Sequence, residues 1–318
     1  MSKHFFLIDP LEKLNPKKDT TLLLMLTLQE MGVEVYGIMK EDLFLTYPYE
    51  FTLQTHQLFG RINPDSFYLE EIQLKKGKIV PLEKLDTIHM RLDPPFDEMY
   101  LKTLWALNFF QTKGINVLNN PQGILTINEK LSVFGFDLGD YPFILSGNVA
   151  MMKEKVLSWK KDLQIEDLVI KPINLFQGYG VVKVSVEKFL EEDFHRSMNW
   201  KDYWMVLPFF NQIYQGEYRC VFFKGELLGS IKKVPPKGSF LANIAQGASF
   251  EVTQIPETLK AKLVQNTLEL EKSGIIWVAY DCIGEHVSEI NVTCPGLLVE
   301  LAHAHRENLA LKIAKYFK

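Results

Sequence analysis

The chain contains 318 residues, of which 47% are hydrophobic, and this is enough for two or three globular domains. The net charge is −4 and the basic residues are dispersed, so a nucleic-acid partner is not expected. The longest apolar run, residues 22–28, is far shorter than the ~20 residues that span a membrane. The three cysteines (Cys220, Cys282 and Cys294) form no C-x-x-C pair, a pattern that predicts reduced thiols in a cytoplasmic protein.

The first 121 residues show the alternation of strands and helices that is typical of a parallel α/β sheet. Strands are predicted over residues 5–8, 33–39, 87–91 and 116–118, and helices over residues 20–31 and 97–112. A basic run surrounds Gly77, and we interpret it as the tip of a hairpin. Asn119, Asn120 and Pro121 end the alternation, so a first domain is predicted over residues 1–121.

Short strands dominate the rest of the chain, which predicts two α+β units over residues 122–202 and 203–318. Strands are predicted over residues 143–145, 168–171, 181–186, 203–208, 217–223, 226–233, 276–283 and 286–292. Helices are predicted over residues 128–133, 187–193, 256–272 and 297–317, with a long loop of small residues over 235–249. The predicted fold class is therefore α/β followed by α+β.

Polar side chains interrupt the apolar pattern of the last predicted hairpin. If its loop has three residues, Ile283 faces Val287 and Asp281 faces Glu289 across the two strands. Asn291 shares a face with Glu289, because strand side chains alternate with a period of two. Such an oxygen-rich cluster suits Mg²⁺, which takes one or two carboxylates together with substrate phosphates. A hairpin whose acids face solvent is the alternative.

Basic and glycine residues elsewhere could hold phosphate groups. Lys171 ends a hydrophobic strand shortly before Gly178 and Gly180, where backbone N–H groups can approach an anion. A surface lysine at a strand end is the alternative. Arg219 shares a strand face with Glu217, so it could pair with that carboxylate or bind phosphate. The long loop of small residues could be an active-site lid or an inert surface loop.

Five motifs are spread over nearly the full length of the chain. They are Met90-Arg-Leu-Asp-Pro-Pro-Phe-Asp97, Asn128-Glu-Lys-Leu131, Ile170-Lys-Pro172, Gly216-Glu-Tyr-Arg219, and Asp281 with Glu289-Ile-Asn-Val-Thr293. With these motifs the chain resembles the prokaryotic-type glutathione synthetases of the ATP-grasp superfamily. The resemblance implies an ATP-grasp fold preceded by an N-terminal parallel-sheet α/β domain that helps to bind the acyl substrate.

The resemblance also implies a role for each matching residue. Binding of ATP would fall to Lys130, Lys171, Gly178, Gly180, Met205, Leu207, Phe209, Phe210, Glu217 and Asn243. Asp281, Glu289 and Asn291 would bind two Mg²⁺ ions, for which Mn²⁺ could substitute. Arg219 would be catalytic, because it would stabilise charge on the transferred phosphoryl group.

The reaction of that family requires no protein nucleophile. ATP phosphorylates the cysteinyl carboxylate of γ-glutamylcysteine, and the glycine amine then displaces phosphate from the acyl phosphate. The work left to the protein is positioning, charge neutralisation and exclusion of water. The implied partners are small molecules, a dipeptide acid and an amino acid, and the implied assembly is a dimer or a tetramer.

Departures from the family pattern leave two alternatives open. Residues 173–177 replace most of a glycine-rich segment, and Leu241 and Val299 stand where the family usually has arginine. Lys233 lies nearest to a further arginine of the family. The first alternative is an ATP-grasp ligase for a different acid and amine. The second is a protein that binds nucleotide without ligating.

Overall fold

The computed structural model describes residues 2–46, 50–196 and 202–317, and the strands within these ranges form three sheets. The first sheet is built from β1 (His4–Leu7), β2 (Val35–Ile38), β3 (Leu43–Thr46), β4 (Glu50–Ile62), β5 (Leu69–Pro81), β6 (Thr87–Met90) and β7 (Asn116–Leu118). Its order is β3-β4-β2-β1-β6-β7, with β5 paired to β4. The four strands β2, β1, β6 and β7 are parallel, as predicted, but β3, β4 and β5 pair antiparallel, so the sheet is mixed and not wholly parallel. Strand β1 is buried along its whole length.

The hairpin of this sheet does not turn at Gly77. Strands β4 and β5 turn at residues 63–68, and Gly77 lies inside β5. The pairing shifts there, so that Thr55 stands opposite both Gly77 and Lys78. A Cβ atom on Gly77 would lie 3.0 Å from the Thr55 hydroxyl oxygen. The glycine therefore marks a β-bulge with a close backbone approach, and the prediction of a hairpin tip was wrong.

Two helices cover the parallel strands, and both were predicted. Helix α1 (Thr20–Glu30) is buried continuously from Thr20 to Leu28, which agrees with its apolar character on all sides. Helix α2 (Glu98–Thr112) buries only one face. Both helices begin with an aspartate cap: Asp19 accepts from the Leu22 amide and Asp97 from the Tyr100 amide, each at 2.8 Å.

The second sheet consists of antiparallel pairs in the order β10-β9-β11-β8. Its strands are β8 (Ile144–Ser146), β9 (Asp167–Pro172), β10 (Val182–Ser185) and β11 (Trp204–Pro208). The preceding and covering helices are α3 (Pro121–Thr126), α4 (Ser132–Gly135), α5 (Val149–Asp162), α6 (Val186–Leu190) and α7 (Glu192–Arg196). Helix α5 was missed, although its buried Met152, Val156 and Trp159 have helical spacing. The predicted helices over 128–133 and 187–193 are displaced or divided in the structure.

The third sheet is antiparallel, in the order β14-β13-β12-β15-β16. Its strands are β12 (Glu217–Phe223), β13 (Glu226–Val234), β14 (Ser249–Val252), β15 (Trp277–Ile283) and β16 (His286–Asn291). Helix α8 (Glu257–Glu271) lies near its predicted bounds. The predicted C-terminal helix is instead α9 (Leu298–His305), α10 (Ala310–Ala314) and a 3-10 turn. Arg306 breaks it, because its φ of 54° is left-handed.

Strand β11 belongs to the second sheet, although it lies beyond the predicted boundary at residue 202. The boundaries at residues 121 and 202 stay predictions. None of the helices in the described part of the chain is long and apolar enough to cross a membrane.

Buried polar side chains join the first and third sheets. Asn119 follows β7, and its amide group donates to the carbonyls of Trp277 (2.7 Å) and Val292 (2.9 Å). Its oxygen accepts from the backbone amides of Ile276 and Trp277. Arg91 follows β6 and stacks 4.2 Å above the Trp277 ring. The contacts of Asn119 and Arg91 therefore fix the position of the first sheet relative to the third. Few other residue types could make the same contacts.

We predict that Asn119→Ala lowers the free energy of unfolding by roughly 3 kcal/mol, because it leaves three buried backbone groups and the part-buried Ile276 amide without their partner. Urea denaturation followed by tryptophan fluorescence measures the change. Asn116→Ala is the control, since Asn116 lies exposed on β7, and we expect a change of less than about 0.5 kcal/mol. Equal losses in both variants would contradict the prediction.

Candidate functional site

A cleft between the second and third sheets brings together most of the residues that the sequence singled out. Its lining includes Lys130, Lys171, Gly178, Leu207, Phe209, Phe210, Glu217, Asn243, Asp281 and Glu289. Gly180, Met205, Arg219 and Asn291 lie outside the lining. Met205 is buried and paired with Lys171 across β11 and β9, while Arg219 and Asn291 lie beside Asp281.

The strand register explains why the acids of the third sheet meet. Asp281 pairs with Arg219 on one side and with Glu289 on the other, so these three side chains project from one face. The predicted pairing of Asp281 with Glu289 is correct, but the predicted loop is not. The turn has two residues and Ile283 pairs with His286. A bulge after Asp281 compensates for the shorter turn.

The Asp281 carboxylate is surrounded by hydrogen-bond donors. Arg219 donates to it through two nitrogens, at 2.8 and 2.6 Å. The Lys233 ammonium group lies 2.9 Å from Oδ1, and the Asn291 amide lies 3.4 Å from Oδ2. Burial would raise the pKa of Asp281, but the charges of Arg219 and Lys233 outweigh burial and lower it. Asp281 is therefore ionised and fully paired.

Lys233 is a site residue that the sequence did not single out as functional. Its side chain is 2% exposed and also lies 2.7 Å from Glu217, which stands opposite it in the pairing of β12 with β13. Burial would lower the pKa of Lys233, but the charges of Asp281 and Glu217 raise it. The sequence around a lysine in a strand does not indicate such ion pairs, because the partners of Lys233 come from two other strands.

The opposite wall of the cleft is basic. Lys130 is buried, lies 3.0 Å from Glu289 and donates to the Leu175 carbonyl at 2.7 Å. Lys171 has no ion-pair partner among the described residues, and burial lowers its pKa. A half-buried cation without a carboxylate partner is poised to bind an anionic ligand.

Two loops close the cleft. Gly178 and Gly180 have φ values of +77° and +72°, which side-chain-bearing residues rarely adopt. A Cβ atom on Gly178 would lie 2.8 Å from the Asn243 side-chain oxygen, which belongs to the loop over 235–248. Gln246 of that loop donates to the Gln177 carbonyl at 2.9 Å. The predicted lid loop therefore lies against the glycine loop over the cleft.

The far end of the cleft is aromatic. Leu207 of β11 lines it together with Phe209 and Phe210, which follow that strand, and the ring of His286 stacks on Phe210 with a centroid distance of 5.2 Å. Tyr141, which the sequence did not single out, contacts Phe210 edge-on at 5.0 Å. Flat apolar surfaces at this end suit a planar heterocyclic ring.

A fit for Mg²⁺ depends on Asp281 and Glu289. Among the described residues no group of three His, Cys, Asp or Glu side chains is arranged to hold a metal ion. Two carboxylates on neighbouring strands still match the usual coordination of Mg²⁺, which completes its octahedral shell with water and substrate phosphates. The residues present therefore fit a metal–nucleotide complex better than a metal held by protein alone.

A second cavity adjoins the cleft at the carboxyl ends of the parallel strands. Its charged lining includes Asp9 after β1, Lys40 after β2, Asp93 after β6, and Lys13. None of these four residues takes part in an ion pair within the described ranges. Phe176, Gln177 and Tyr179 line both cavities. Ligands in the two cavities would therefore be separated by a single loop. The resemblance implied that the N-terminal domain helps to bind the acyl substrate, but the sequence did not indicate which of its residues would do so.

Comparisons with known proteins agree with this architecture. A model described as "Prokaryotic glutathione synthetase, N-terminal domain" matches residues 2–124, and one described as "Prokaryotic glutathione synthetase, ATP-grasp domain" matches residues 129–306. A glutathione synthetase from Prochlorococcus marinus subsp. pastoris is 26% identical over 316 residues, which cover 98% of this chain and 97% of the relative.

Solved structures share the fold at lower identity. D-cycloserine synthetase DcsG has a TM-score of 0.67 and 13% identity, with coverage of 99% of this chain and 100% of that chain. The ATP-grasp ligase PsnB, in a complex with a minimal precursor, Mg and ADP, has a TM-score of 0.58 and 13% identity, with coverage of 98% and 96%. The predicted ATP-grasp fold is confirmed, and this chain belongs to the prokaryotic glutathione synthetase family of ATP-grasp ligases.

Proposed function

We propose that this protein joins γ-glutamylcysteine and glycine, with ATP as the energy source, to give glutathione, ADP and phosphate through an acyl phosphate. The observation that carries the proposal is the cleft itself, where Lys130 and Lys171 face the cross-strand carboxylates Asp281 and Glu289. Phosphoryl transfer requires that the reacting groups are positioned and that the phosphate charge is neutralised, and these side chains supply both functions.

The nucleotide would lie along the cleft with its phosphates at the charged end. Lys171 would hold a phosphate as a point charge, since no carboxylate among the described residues pairs with it. Lys130 would exchange Glu289 for a phosphate oxygen. The adenine would lie against Phe209 and Phe210 at the aromatic end. Glu217, which accepts from the Ser288 hydroxyl at 3.2 Å, would contact the nucleotide between the two ends.

Asp281, Glu289 and Asn291 are the residues that would hold Mg²⁺, or Mn²⁺ in its place. When bound, the metal would supply positive charge that lowers repulsion between the phosphates and an incoming carboxylate. Arg219 would keep the Asp281 carboxylate ionised and oriented, and it stays the predicted catalytic residue. The loops that carry Gly178, Gly180 and Asn243 would keep water from the acyl phosphate.

We place the acid and amine substrates in the second cavity. Two acids and two lysines without ion-pair partners suit a ligand with both an ammonium and a carboxylate group. Asp9 and Asp93 would take the ammonium group, and Lys13 and Lys40 the carboxylate. The reacting carboxylate would reach the nucleotide at the loop that carries Phe176 and Tyr179.

We further propose that the protein works in the cytoplasm as a homo-oligomer, a dimer or a tetramer. All three cysteines are free, which agrees with a reducing compartment. A different acid and amine pair is the second candidate. The bulky side chains of Phe176 and Tyr179 favour it, since they line both cavities, where the acid and the nucleotide would meet.

With ATP, Mg²⁺, γ-glutamylcysteine and glycine, the purified protein should release one phosphate for each glutathione formed. Phosphate release and mass spectrometry of the product measure this, with omission of glycine as the control. Turnover with another acid and amine, and none with this pair, would favour the second candidate. Tight ATP binding without product from any pair would indicate a protein that does not ligate.

Asp281→Asn and Glu289→Gln should each lower kcat by roughly 100-fold or more, because each removes a charged group that would hold the metal. Glu285→Gln is the matched control, since Glu285 is exposed in the turn of the same hairpin. Steady-state kinetics at saturating Mg²⁺ measure the effect, and circular dichroism checks folding. Activity near the normal level in both site variants would remove the metal assignment.

Binding of the substrate's ammonium group should depend on pH through Asp93. Burial raises the pKa of Asp93 to about 6, so the carboxylate is charged above this pH and neutral below it. The KM for the ammonium-bearing substrate should therefore rise as pH falls through about 6, while it stays flat from pH 7 to 8. Asp93→Asn should raise KM and remove the dependence. Glu41→Gln, at an exposed acid, should keep the normal profile.

A further inference from the structure

The Lys233 ammonium group occupies the centre of the acidic face. It lies between Asp281 and Glu217, at 2.9 and 2.7 Å, and its side chain is 2% exposed. Lys233 is the penultimate residue of β13, and the loop that covers the cleft begins two residues later. The side chain that fills the space between the acids is thus attached to the start of the covering loop.

The Asp281 carboxylate has no acceptor position left for a metal ion. A carboxylate offers about four lone-pair positions on its two oxygens. Arg219 takes one on each oxygen, Lys233 a second on Oδ1, and Asn291 a second on Oδ2. A divalent cation can therefore bind Asp281 only if one of these donors leaves.

Lys233 is the donor best suited to leave. Arg219 is held through two nitrogens at once, and the Asn291 amide also donates to the Ala279 carbonyl at 3.1 Å. Lys233 makes a single contact with Asp281 through a flexible stem, and it can keep Glu217 while it moves.

We propose that the Lys233 ammonium group holds the position of the divalent cation in the nucleotide-free protein and leaves Asp281 when metal and nucleotide bind together. This proposal rests on the proposed use of Asp281 as a metal-binding residue. A phosphate oxygen of the nucleotide then becomes the new partner of Lys233, so its buried charge stays compensated. Lys233 acts as a positioning residue, because it competes with free metal for Asp281 and leaves that carboxylate when metal and nucleotide bind together. Free metal therefore binds weakly, and metal with nucleotide binds strongly.

The first test measures Mn²⁺ binding to the nucleotide-free protein by electron paramagnetic resonance of the free ion. Lys233→Met should bind Mn²⁺ roughly tenfold more tightly than the normal protein, because the competing ammonium group is gone. Lys233→Arg keeps the charge and should show no gain. Adding Asp281→Asn to Lys233→Met should abolish the gain. Equal or weaker Mn²⁺ binding by Lys233→Met, or a gain that survives Asp281→Asn, would overturn the proposal.

A second measurement uses the normal protein, because removal of a buried cation can unfold the chain. An ATP derivative with an acyl group on its terminal phosphate transfers that group to a nearby lysine. The lysine nitrogen forms an amide bond, the acyl–phosphate bond breaks, ATP leaves and the nitrogen loses a proton. With Mg²⁺, mass spectrometry should find the acyl group on Lys233 and not on its neighbour Lys232. Acylation of Lys130 or Lys171 without Lys233 would contradict the movement.

Neither binding test depends on catalysis. Both can succeed if the true acid and amine differ from γ-glutamylcysteine and glycine. A failed ligase assay with a successful Mn²⁺ result would reject the substrates and keep the role of Lys233. A successful ligase assay without the gain in Mn²⁺ binding would keep the substrates and reject the role of Lys233.

Discussion

The buried carboxylate of Asp281 is the group on which the arrangement of the third sheet depends. An ionised carboxylate in a closed site costs several kcal/mol unless charged donors surround it. Arg219 and Lys233 provide those donors from β12 and β13, the two strands that continue the sheet from β15. The pairing of the three strands and the pairing of the charges therefore require each other. A slip of one residue in any strand would leave a charge buried alone.

Charges are also paired across the cleft, where protein ion pairs occupy the positions that the charges of a ligand would take. Glu289 is paired with Lys130 from the opposite wall, while Lys171 has no carboxylate partner within the described ranges. A polyphosphate with its metal brings both negative and positive charge to such a site. Each internal pair can then be exchanged for a pair with the ligand, without leaving any group unpaired.

Local patterns in the sequence predicted most of the strands and helices, but they missed helix α5 and did not indicate contacts between distant segments. The parallel strands of the first sheet and the pairing of Asp281 with Glu289 were predicted correctly. The prediction for Gly77 was wrong, because the local sequence of a glycine beside basic residues does not distinguish a β-bulge from a turn. Lys233 was noted only as a departure, since its value comes from acids 16 and 48 residues away. The second cavity depends on three strand ends that no local pattern brings together.

The segment that stands in place of the family's glycine-rich pattern needs a left-handed backbone at only a few positions. Within the described part of residues 173–180, left-handed φ values occur at Gln177, Gly178 and Gly180. Leu175 and Phe176 replace residues of the glycine-rich pattern without needing that conformation, and the Leu175 carbonyl still accepts from Lys130. The loop therefore contacts the basic wall of the cleft. Phe176 and Tyr179 give an aromatic wall to both cavities. Two further departures, Lys233 and Leu241, lie beside Asp281 and in the lining of the cleft. The departures of this chain from the family pattern are thus found at the cleft as well as at the second cavity.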